Sequence, residues 1–529
     1  MTAPPVANPD GRIVSFIDIG TNSVRLLVVR LNPNHSYTIL SRQKQQVRLG
    51  EGEFEDEIIR PEAGDRLVMV CKKFHELARS FGTEEFVAVA TSAMRDAVNQ
   101  HDILHLLRQE AMLDVRVISG QEEARLIYLG VASGIHLPGR TTFFIDIGGG
   151  STEVAVGDEK NYRYLHSFRL GAIRLASLYG TGSCNGPVSA GQYRKIQNHV
   201  REAIGRSAKK ISKEKIDCAV GSSGTIMNLA EIAQKALPPR TEEKDLTLSS
   251  ADLRRVIDLL CSLSIEERRK IPGINPERAD IIIPGAAILD VFMQELGIDT
   301  IAVTGRGLQD GLLVDYLSRM DAFPLPGELS PRQRSVLQLG RSCGINEVHA
   351  RTVTALVLEL FDSALGLSLH PYGAKERELL EYGTFLHDIG SFISYSNHHS
   401  HSYYIIRNSE LLGFNETEIA FMAMIARFHR KKAPRKNDPG MDELGPRERE
   451  ALPVLATFVR FGETLDRSHT ALIQHVRFSS ADNENVHLEI IARGDCQLEI
   501  WGIESEKKAF EKIFGRKLIV DLIDSQSGE

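Results

Sequence analysis

The chain has no Cys-x-x-Cys pair. Its cysteines, Cys71, Cys184, Cys218, Cys261, Cys343 and Cys496, stand singly along 529 residues. That spacing gives no disulfide framework and reads as reduced, mostly structural thiols in a cytoplasmic protein. A run of about 18 apolar residues is also missing, so no membrane span is expected. The first ten residues hold Pro and Ala without an apolar core, and are expected to be a tail, not a signal peptide. Positive charge is not in excess: 63 Lys and Arg face 70 Asp and Glu, a net charge of -7. This argues against a general nucleic-acid binder and leaves room for a local basic groove. What is present is ordinary globular composition, 42% hydrophobic and 25% charged, in a length that suggests about three or four domains.

One stretch organises the rest. In Phe144-Ile145-Asp146-Ile147-Gly148-Gly149-Gly150-Ser151-Thr152-Glu153, an apolar strand delivers an aspartate, then three glycines and two hydroxyls. Glycines let backbone N–H groups crowd together, and such a turn holds an oxyanion, most simply phosphate. Asp146 does not bind phosphate directly, being negative itself; it can hold a divalent cation or orient a water. Phe16-Ile17-Asp18-Ile19-Gly20-Thr21-Asn22-Ser23 repeats the same words 128 residues upstream and matches Phe144 to Ser151 at six of eight places. Two copies point to two facing phosphate loops from related half-domains, with a cleft between them.

Around these turns the pattern is α/β. Val24, Leu26 and Val28, and residues 153–157 after the second turn, read as returning strands, so each turn joins antiparallel strands and does not open a helix. Residues 38–47, 86–90 and 115–118 read as strands, and 61–81 and 101–111 as helices. Ser119 caps a helix whose first turn holds Glu122 and Glu123, an arrangement that the helix dipole alone would favour. After the second copy, 189–213 is helical. Residues 217–220 form a strand leading into Gly221-Ser222-Ser223-Gly224-Thr225, which opens a helix as an anion site or as a tight cap. Residues 278–296 are helical, with a break expected at Pro284. Pro324, Pro326 and Pro331 mark a linker. Residues 335–466 are largely helical, then 486–492, 497–501 and 517–522 read as strands and 505–514 as a helix. The expected domains are 12–138 and 139–322 (half-domains), 330–480 (helical) and 481–529 (small α+β cap).

Taken in order, Asp18-Ile19-Gly20-Thr21-Asn22-Ser23, Ala90-Thr91-Ser92-Ala93-Met94-Arg95, Ser119-Gly120-Gln121-Glu122-Glu123-Ala124-Arg125, Asp146 to Glu153 and Gly221 to Thr225 resemble the exopolyphosphatase / guanosine pentaphosphate phosphohydrolase (Ppx/GppA) family over about residues 12–320. The resemblance implies two actin-like, ribonuclease H-like half-domains that hydrolyse a terminal phosphoanhydride. It implies Glu123 as the base, with Glu122 beside it as the alternative, and Asp146 and Glu153, together with Glu123, as holders of Mg²⁺. Gly20, Thr21, Asn22 and Ser23 match the first phosphate loop; Gly148, Gly149, Gly150, Ser151 and Thr152 match the second; Gly221, Ser222, Ser223, Gly224 and Thr225 form a third. Arg95 would fork onto the transferring phosphoryl group, the alternative being an ion pair with Asp96 or another acid. Leu308-Gln309-Asp310-Gly311 departs from the family's Leu-Arg-Glu-Gly.

From about residue 330 the chain is similar to the helical HD-type domain of the family's long form. That resemblance implies a second metal set of His349, His387, Asp388 and Asp466, extended by His401 and His429; the plain alternative is a helical scaffold with inherited polar residues. Arg427, Arg430, Lys431 and Lys432 form the most basic stretch, read either as a solvated face or as a polyanion channel wall. The implied substrate is inorganic polyphosphate, or alternatively guanosine pentaphosphate (pppGpp). A nucleotide sensor without turnover and a sugar kinase are the other readings, and retention of Glu123, Asp146 and Glu153 argues against the sensor. A cytoplasmic homodimer is the expected state, with no nucleic-acid or membrane partner.

Overall fold

The computed structural model describes residues 11–137, 139–181, 186–237, 246–320, 329–430 and 433–524. The chain forms two compact units, Met1–Pro331 and Arg332–Glu529.

The first unit is built twice over. Strands β1 (Arg12–Ile19), β2 (Ser23–Leu31), β3 (Tyr37–Gln46), β4 (Glu85–Ala90) and β5 (Val115–Val117) form a sheet in the order β3-β2-β1-β4-β5. Strands β6 (Thr142–Ile147), β7 (Thr152–Gly157), β8 (Tyr162–Phe168), β9 (Cys218–Ser222), β10 (Thr247–Ser249) and β11 (Thr300–Val303) form the second, in the order β10-β11-β9-β6-β7-β8. In both, an antiparallel three-strand meander is extended on its first strand by two parallel strands, and in the second sheet β10 adds an antiparallel edge. The central strands β1 and β6 are buried on both faces, which is why they read as near-continuous apolar runs.

Two helices change sides. The first crossing helix (Gly120–Ala132) follows β5 but packs on β7 and β8 of the second sheet, while the second crossing helix (Leu308–Ser318) follows β11 and packs on β1 of the first. Leu126, Tyr128, Val131, Leu308 and Leu312 join Phe16 and Phe144 in one core between the sheets. The helices touch through glycine: a Cβ on Gly130 would lie 2.1 Å from Gly307 O, and one on Gly311 would lie 1.8 Å from Leu126 O.

The break expected near Pro284 lies just ahead of it: a short 3-10 turn, Pro276–Arg278, gives way to a helix that begins at Ile282 and runs through Pro284 to Leu296; proline in the first turn lacks an N–H that would be unpaired anyway. Two expectations are corrected. Residues 497–501 are not a strand but the start of a helix, Gln497–Phe514; Glu499, Gly502, Ile503 and Phe510 are buried at helical spacing, which outweighs the local alternation. The boundary expected between 480 and 481 falls inside β12 (Ile473–Ala481).

In the second unit β12 pairs antiparallel with β13 (Asn485–Ala492), which pairs in parallel with β14 (Lys517–Asp524). This sheet shares its core with the helices: Phe458 meets Phe478 with ring centroids 6.1 Å apart, and Phe461 meets Phe510 at 5.9 Å. The small α+β part is therefore not separate from the helical part. Among the described residues, no helix is long and apolar enough to cross a membrane.

Candidate active site

The two repeated turns face each other across a cavity of 360 Å³ in the first unit. Each turn is closed by its own backbone: Gly20 N–H donates to Ser23 O at 3.1 Å, and Gly148 N–H donates to Ser151 O at 2.9 Å. Their carbonyls are taken up by backbone donors. Thr21 O accepts from Gly50 N–H, Gly148 O from Ala172 N–H, and Gly149 O from Ile173 N–H, at 3.1, 3.0 and 2.8 Å. A trans peptide points its N–H opposite to its C=O, so the N–H groups of Asn22, Gly149 and Gly150 point away from those donors, and all three residues line the cavity. Only glycine fits where the turns approach, since a Cβ on Gly150 would lie 2.8 Å from Thr21 Oγ1 and 2.7 Å from Ser92 Oγ.

The acids come from equivalent places. Asp18 and Asp146 each stand second from last in their strands. Their cross-strand partners are Arg25 and Glu153 respectively, so the duplicated position holds a cation in one half and an acid in the other. Glu123 enters from the first crossing helix, whose cap, Ser119 Oγ, accepts the Glu122 N–H at 3.2 Å. The structure separates the two glutamates. Glu122 forks onto Arg125 at 2.9 and 3.0 Å, and this pairing holds its carboxyl below the usual range. Glu123 is buried and lines the cavity.

Burial dominates the electrostatics. It pushes Asp18 up to about 6, with Arg25 opposing and Asp146 reinforcing. It pushes Glu123 up to about 7 against the neighbouring Arg95. Asp146 is raised by burial despite a hydrogen bond from Ser222, and Glu153 is raised well above the usual range by burial and by Glu123. Asp18 Oδ1 is buried without a hydrogen-bond partner among the described residues. Four converging acids with an orphaned oxygen suit a divalent cation bound through oxygen.

Five cations also line the cavity: Arg25, Arg42, Lys44, Arg278 and Arg306. Burial, with Arg278 and Arg25 close by, lowers Lys44 to about 8, and Arg278 falls to about 10 for like reasons. None was singled out from sequence. Arg25 pairs across strands with both Asp18 and Lys44, a row that strand alternation from Ser23 onward could have exposed. Asp18 itself was read only as part of the motif.

Several expected site residues lie elsewhere. Arg95 is not among the cavity-lining residues: its guanidinium donates to Glu123 Oε2 at 3.0 Å and to Ile118 O at 2.9 Å, an ion pair with an acid of the kind given as the alternative reading. Thr152 Oγ1 donates to Leu170 O at 2.6 Å. Gly221 provides packing room, since a Cβ there would lie 2.8 Å from Ile226. Ser222 donates to Asp146 Oδ2, and Thr225 Oγ1 accepts from Arg278 at 3.5 Å. Of the third loop, Ser223 and Gly224 reach the cavity. Gln309, where the motif departs, lines it with a buried Nε2 that has no hydrogen-bond partner among the described residues.

The raised acids predict a pH dependence. Asp18 and Glu123 rise from 3.8 and 4.5 to about 6 and about 7, so the folded chain binds these protons more tightly than the unfolded chain. Their contribution is intact below the unfolded values and is lost as pH climbs through the folded ones. In chelator, Tm should fall between about pH 5 and about pH 8, and Mg²⁺ should restore more at the upper end. A D18N/E123Q double variant should flatten the slope. A parent Tm that is level or rising over this window would contradict the assignment.

The second unit holds the histidines. His349 Nδ1 lies 2.7 Å from Asp466 Oδ2, and its Nε2 lies 3.2 Å from Glu463 Oε2. His387 Nε2 lies 3.0 Å from the same Glu463 oxygen. His349, His387 and Asp388 bring ligand atoms within 4.8 Å of one another, as do Asp388, His398 and His429. Asp466 thus sits behind His349, and Glu463, one helical turn earlier, takes the inner place; a search at i−3 from Asp466 would have found it. Of the basic stretch, Arg427 donates to Pro439 O at 2.7 Å and lies over the Tyr403 ring, while Arg430 reaches His398 Nε2 at 3.3 Å. Lys431 and Lys432 lie outside the described residues.

Residues 27–320 match the model of the Ppx/GppA phosphatase family, and residues 332–507 match that of Ppx/GppA phosphatase, domain III. Among solved structures, the chain is similar to an exopolyphosphatase from Cytophaga hutchinsonii ATCC 33406, with 26% identity over 59% of this chain and 100% of that one, TM-score 0.54. It is similar also to an exopolyphosphatase-like protein, with 26% identity over 58% of this chain and 98% of that one, TM-score 0.52.

Proposed function

The chain belongs to the Ppx/GppA phosphatase family, and from that premise we propose that this phosphohydrolase removes the terminal phosphate of inorganic polyphosphate in the cleft between its two repeated turns. The observation that carries the choice of substrate is the make-up of the cavity wall. Among the described residues it presents two N–H turns and five cations, and no aromatic ring on which a guanine could stack.

The chemistry follows from the side chains. The inward N–H groups of Asn22, Gly149 and Gly150 hold the terminal phosphoryl oxygens. Arg25, Lys44 and Arg278 offset the charge of the chain behind it. Glu123, with a pKa of about 7, accepts the proton of a water whose oxygen attacks the terminal phosphorus in line. The P–O bond to the penultimate phosphate breaks, the shortened chain keeps the bridging oxygen, and orthophosphate leaves. Arg95 fixes the orientation of Glu123. Asp146 and Glu153, with Glu123 and the partnerless oxygen of Asp18, are the residues that would hold Mg²⁺. Bound there, the cation would supply charge neutralisation at the phosphate oxygens.

For the second unit the same reading extends to an HD-like helical fold, supported by the close approach of His349, His387 and Asp388.

The test is orthophosphate release with Mg²⁺ from long-chain polyphosphate and from pppGpp. Faster release from polyphosphate is expected. Release mainly from pppGpp would move the assignment to 5′-phosphate hydrolysis of the nucleotide, and release from neither would overturn the cleft chemistry.

A further inference from the structure

The second turn is gripped along its whole backbone. Gly148 O accepts from Ala172 N–H at 3.0 Å, Gly149 O from Ile173 N–H at 2.8 Å, and the next carbonyl, Gly150 O, from the Arg174 guanidinium at 2.8 Å. The three donors are consecutive residues at the start of one helix, Ala172–Tyr179. That helix can close on the turn because Gly171 has no Cβ; one there would lie 2.2 Å from Gly149 O. With each C=O held on the helix side, the N–H of the same peptide points the other way, and Gly149, Gly150 and Ser151 all line the cavity.

The duplicate turn shows what is unusual here. Gly150 corresponds to Asn22, and Asn22 O is held by main chain, accepting from Val47 and Arg48 N–H at 3.0 and 2.9 Å. A backbone donor is therefore enough to fix this peptide. Arg174 adds something that a backbone donor could not, because it reaches the other half. Its guanidinium is paired with Asp96, lies 3.5 Å from Ser92 Oγ, and sits 3.9 Å from the centre of the Phe54 ring. The side chains of Arg174 and Asp96 are 14% and 13% exposed, so solvent screens this pair far less than a surface pair. Asp96 ends the short helix Ser92–Asp96, and the residue before it is Arg95, which donates to Glu123 at 3.0 Å. Contacts thus run without a gap from Gly150 O through Arg174, Asp96 and Arg95 to the carboxylate of Glu123.

Resting on the cleft chemistry above, we propose that Arg174 is a positioning residue for hydrolysis: by joining Gly150 O to Asp96 it sets the N–H row of one half in register with the base carried by the other. In-line attack needs the water on Glu123 and the phosphorus on the N–H row at the same time. A misplacement of about 1 Å between them costs about 10²-fold in rate. Substrate binding is shared among both turns and five cations, so it should change little.

The experiment is steady-state orthophosphate release with Mg²⁺ from long-chain polyphosphate and from pppGpp, alongside amide hydrogen exchange over residues 170–180 of the full chain. Arg174→Gln and Asp96→Asn should each lower kcat about 10²-fold and leave KM within about threefold. The double variant should be no slower than the slower single one, since either change breaks the same connection. Arg169→Gln is the control. Arg169 also crosses between the halves, to Glu57 at 3.1 Å and Asp96 at 3.4 Å, but among the described residues it donates to no carbonyl of the turn, and its loss should leave kcat within about twofold. In Arg174→Gln the amides of Ala172 and Ile173 should exchange roughly tenfold faster, a readout that needs neither turnover nor Asp96→Asn. A parental kcat in Arg174→Gln, an equal loss in Arg169→Gln, or losses that multiply in the double variant would overturn the proposal. A parent that releases phosphate from neither substrate would fail the cleft chemistry on its own account, and exchange at Ala172 and Ile173 would then decide the role of Arg174 alone, unchanged rates overturning it.

Discussion

Glu123→Gln should cut orthophosphate release by roughly 10²- to 10⁴-fold, the range for loss of a positioned general base. The fold should survive. Gln keeps an oxygen to accept from Arg95, whose guanidinium lies 3.0 Å from the carboxylate. In chelator at alkaline pH the variant should melt higher than the parent, because burial already disfavours the ionised carboxyl and pushes it up to about 7. Glu122→Gln is the control. That residue is paired to Arg125 on the partly exposed side of the same turn, and its loss should leave release within a few-fold. Release unaffected by Glu123→Gln, or abolished equally by both substitutions, would remove Glu123 from the proposed role.

Gly311→Ala should be the most damaging single methyl in the first unit. The added Cβ would lie 1.8 Å from Leu126 O, a backbone atom inside a helix that cannot step aside alone. The crossing helices would have to separate, and both halves depend on that crossing. A cost of about 3 kcal/mol or more is expected. It should appear as a lower melting transition and as weaker release, since Glu123 rides on one helix and Gln309 on the other. Gly180→Ala is the comparison. It has positive φ with nothing within 4 Å of an added Cβ, and should cost about 1 kcal/mol from backbone strain alone. Equal effects at the two sites would show that the crossing tolerates separation.

The duplicated turns, the strands that carry them and the acid-bearing helix were legible because each is a local pattern. Phe16 to Ser23 and Phe144 to Ser151 differ at two places, and Thr21 at one of them packs directly against Gly149 and Gly150 of the other copy. What escaped was set by distance in sequence. Arg25, Lys44 and Arg278 become a cationic wall only when β2 and β3 pair in register and residue 278 folds over them. Arg95 was legible as a functional arginine but not as the partner of Glu123, because nothing local says which of several acids lies 28 residues on in space. The strand misread at 497–501 has the opposite cause: Gln-Leu-Glu-Ile-Trp alternates locally, but the helix is decided by Phe510 and Ile503 packing into a core assembled from residues far upstream.

The exchange of helices between the sheets also bears on how the molecule is made. A ribosome finishes the first sheet at Val117, yet the helix that covers the Phe16 face of β1, where Tyr316 meets Phe16 edge to face at 5.5 Å, ends about 200 residues later at Ser318. At about 5–20 residues per second that is an interval of roughly 10–40 s. For that time the nascent first half exposes Val14, Phe16 and Leu27, whose neighbours in the finished core are Leu312 and Leu313. The two similar sheets are thus not two independent folding units, because each packs against a helix that follows the other sheet.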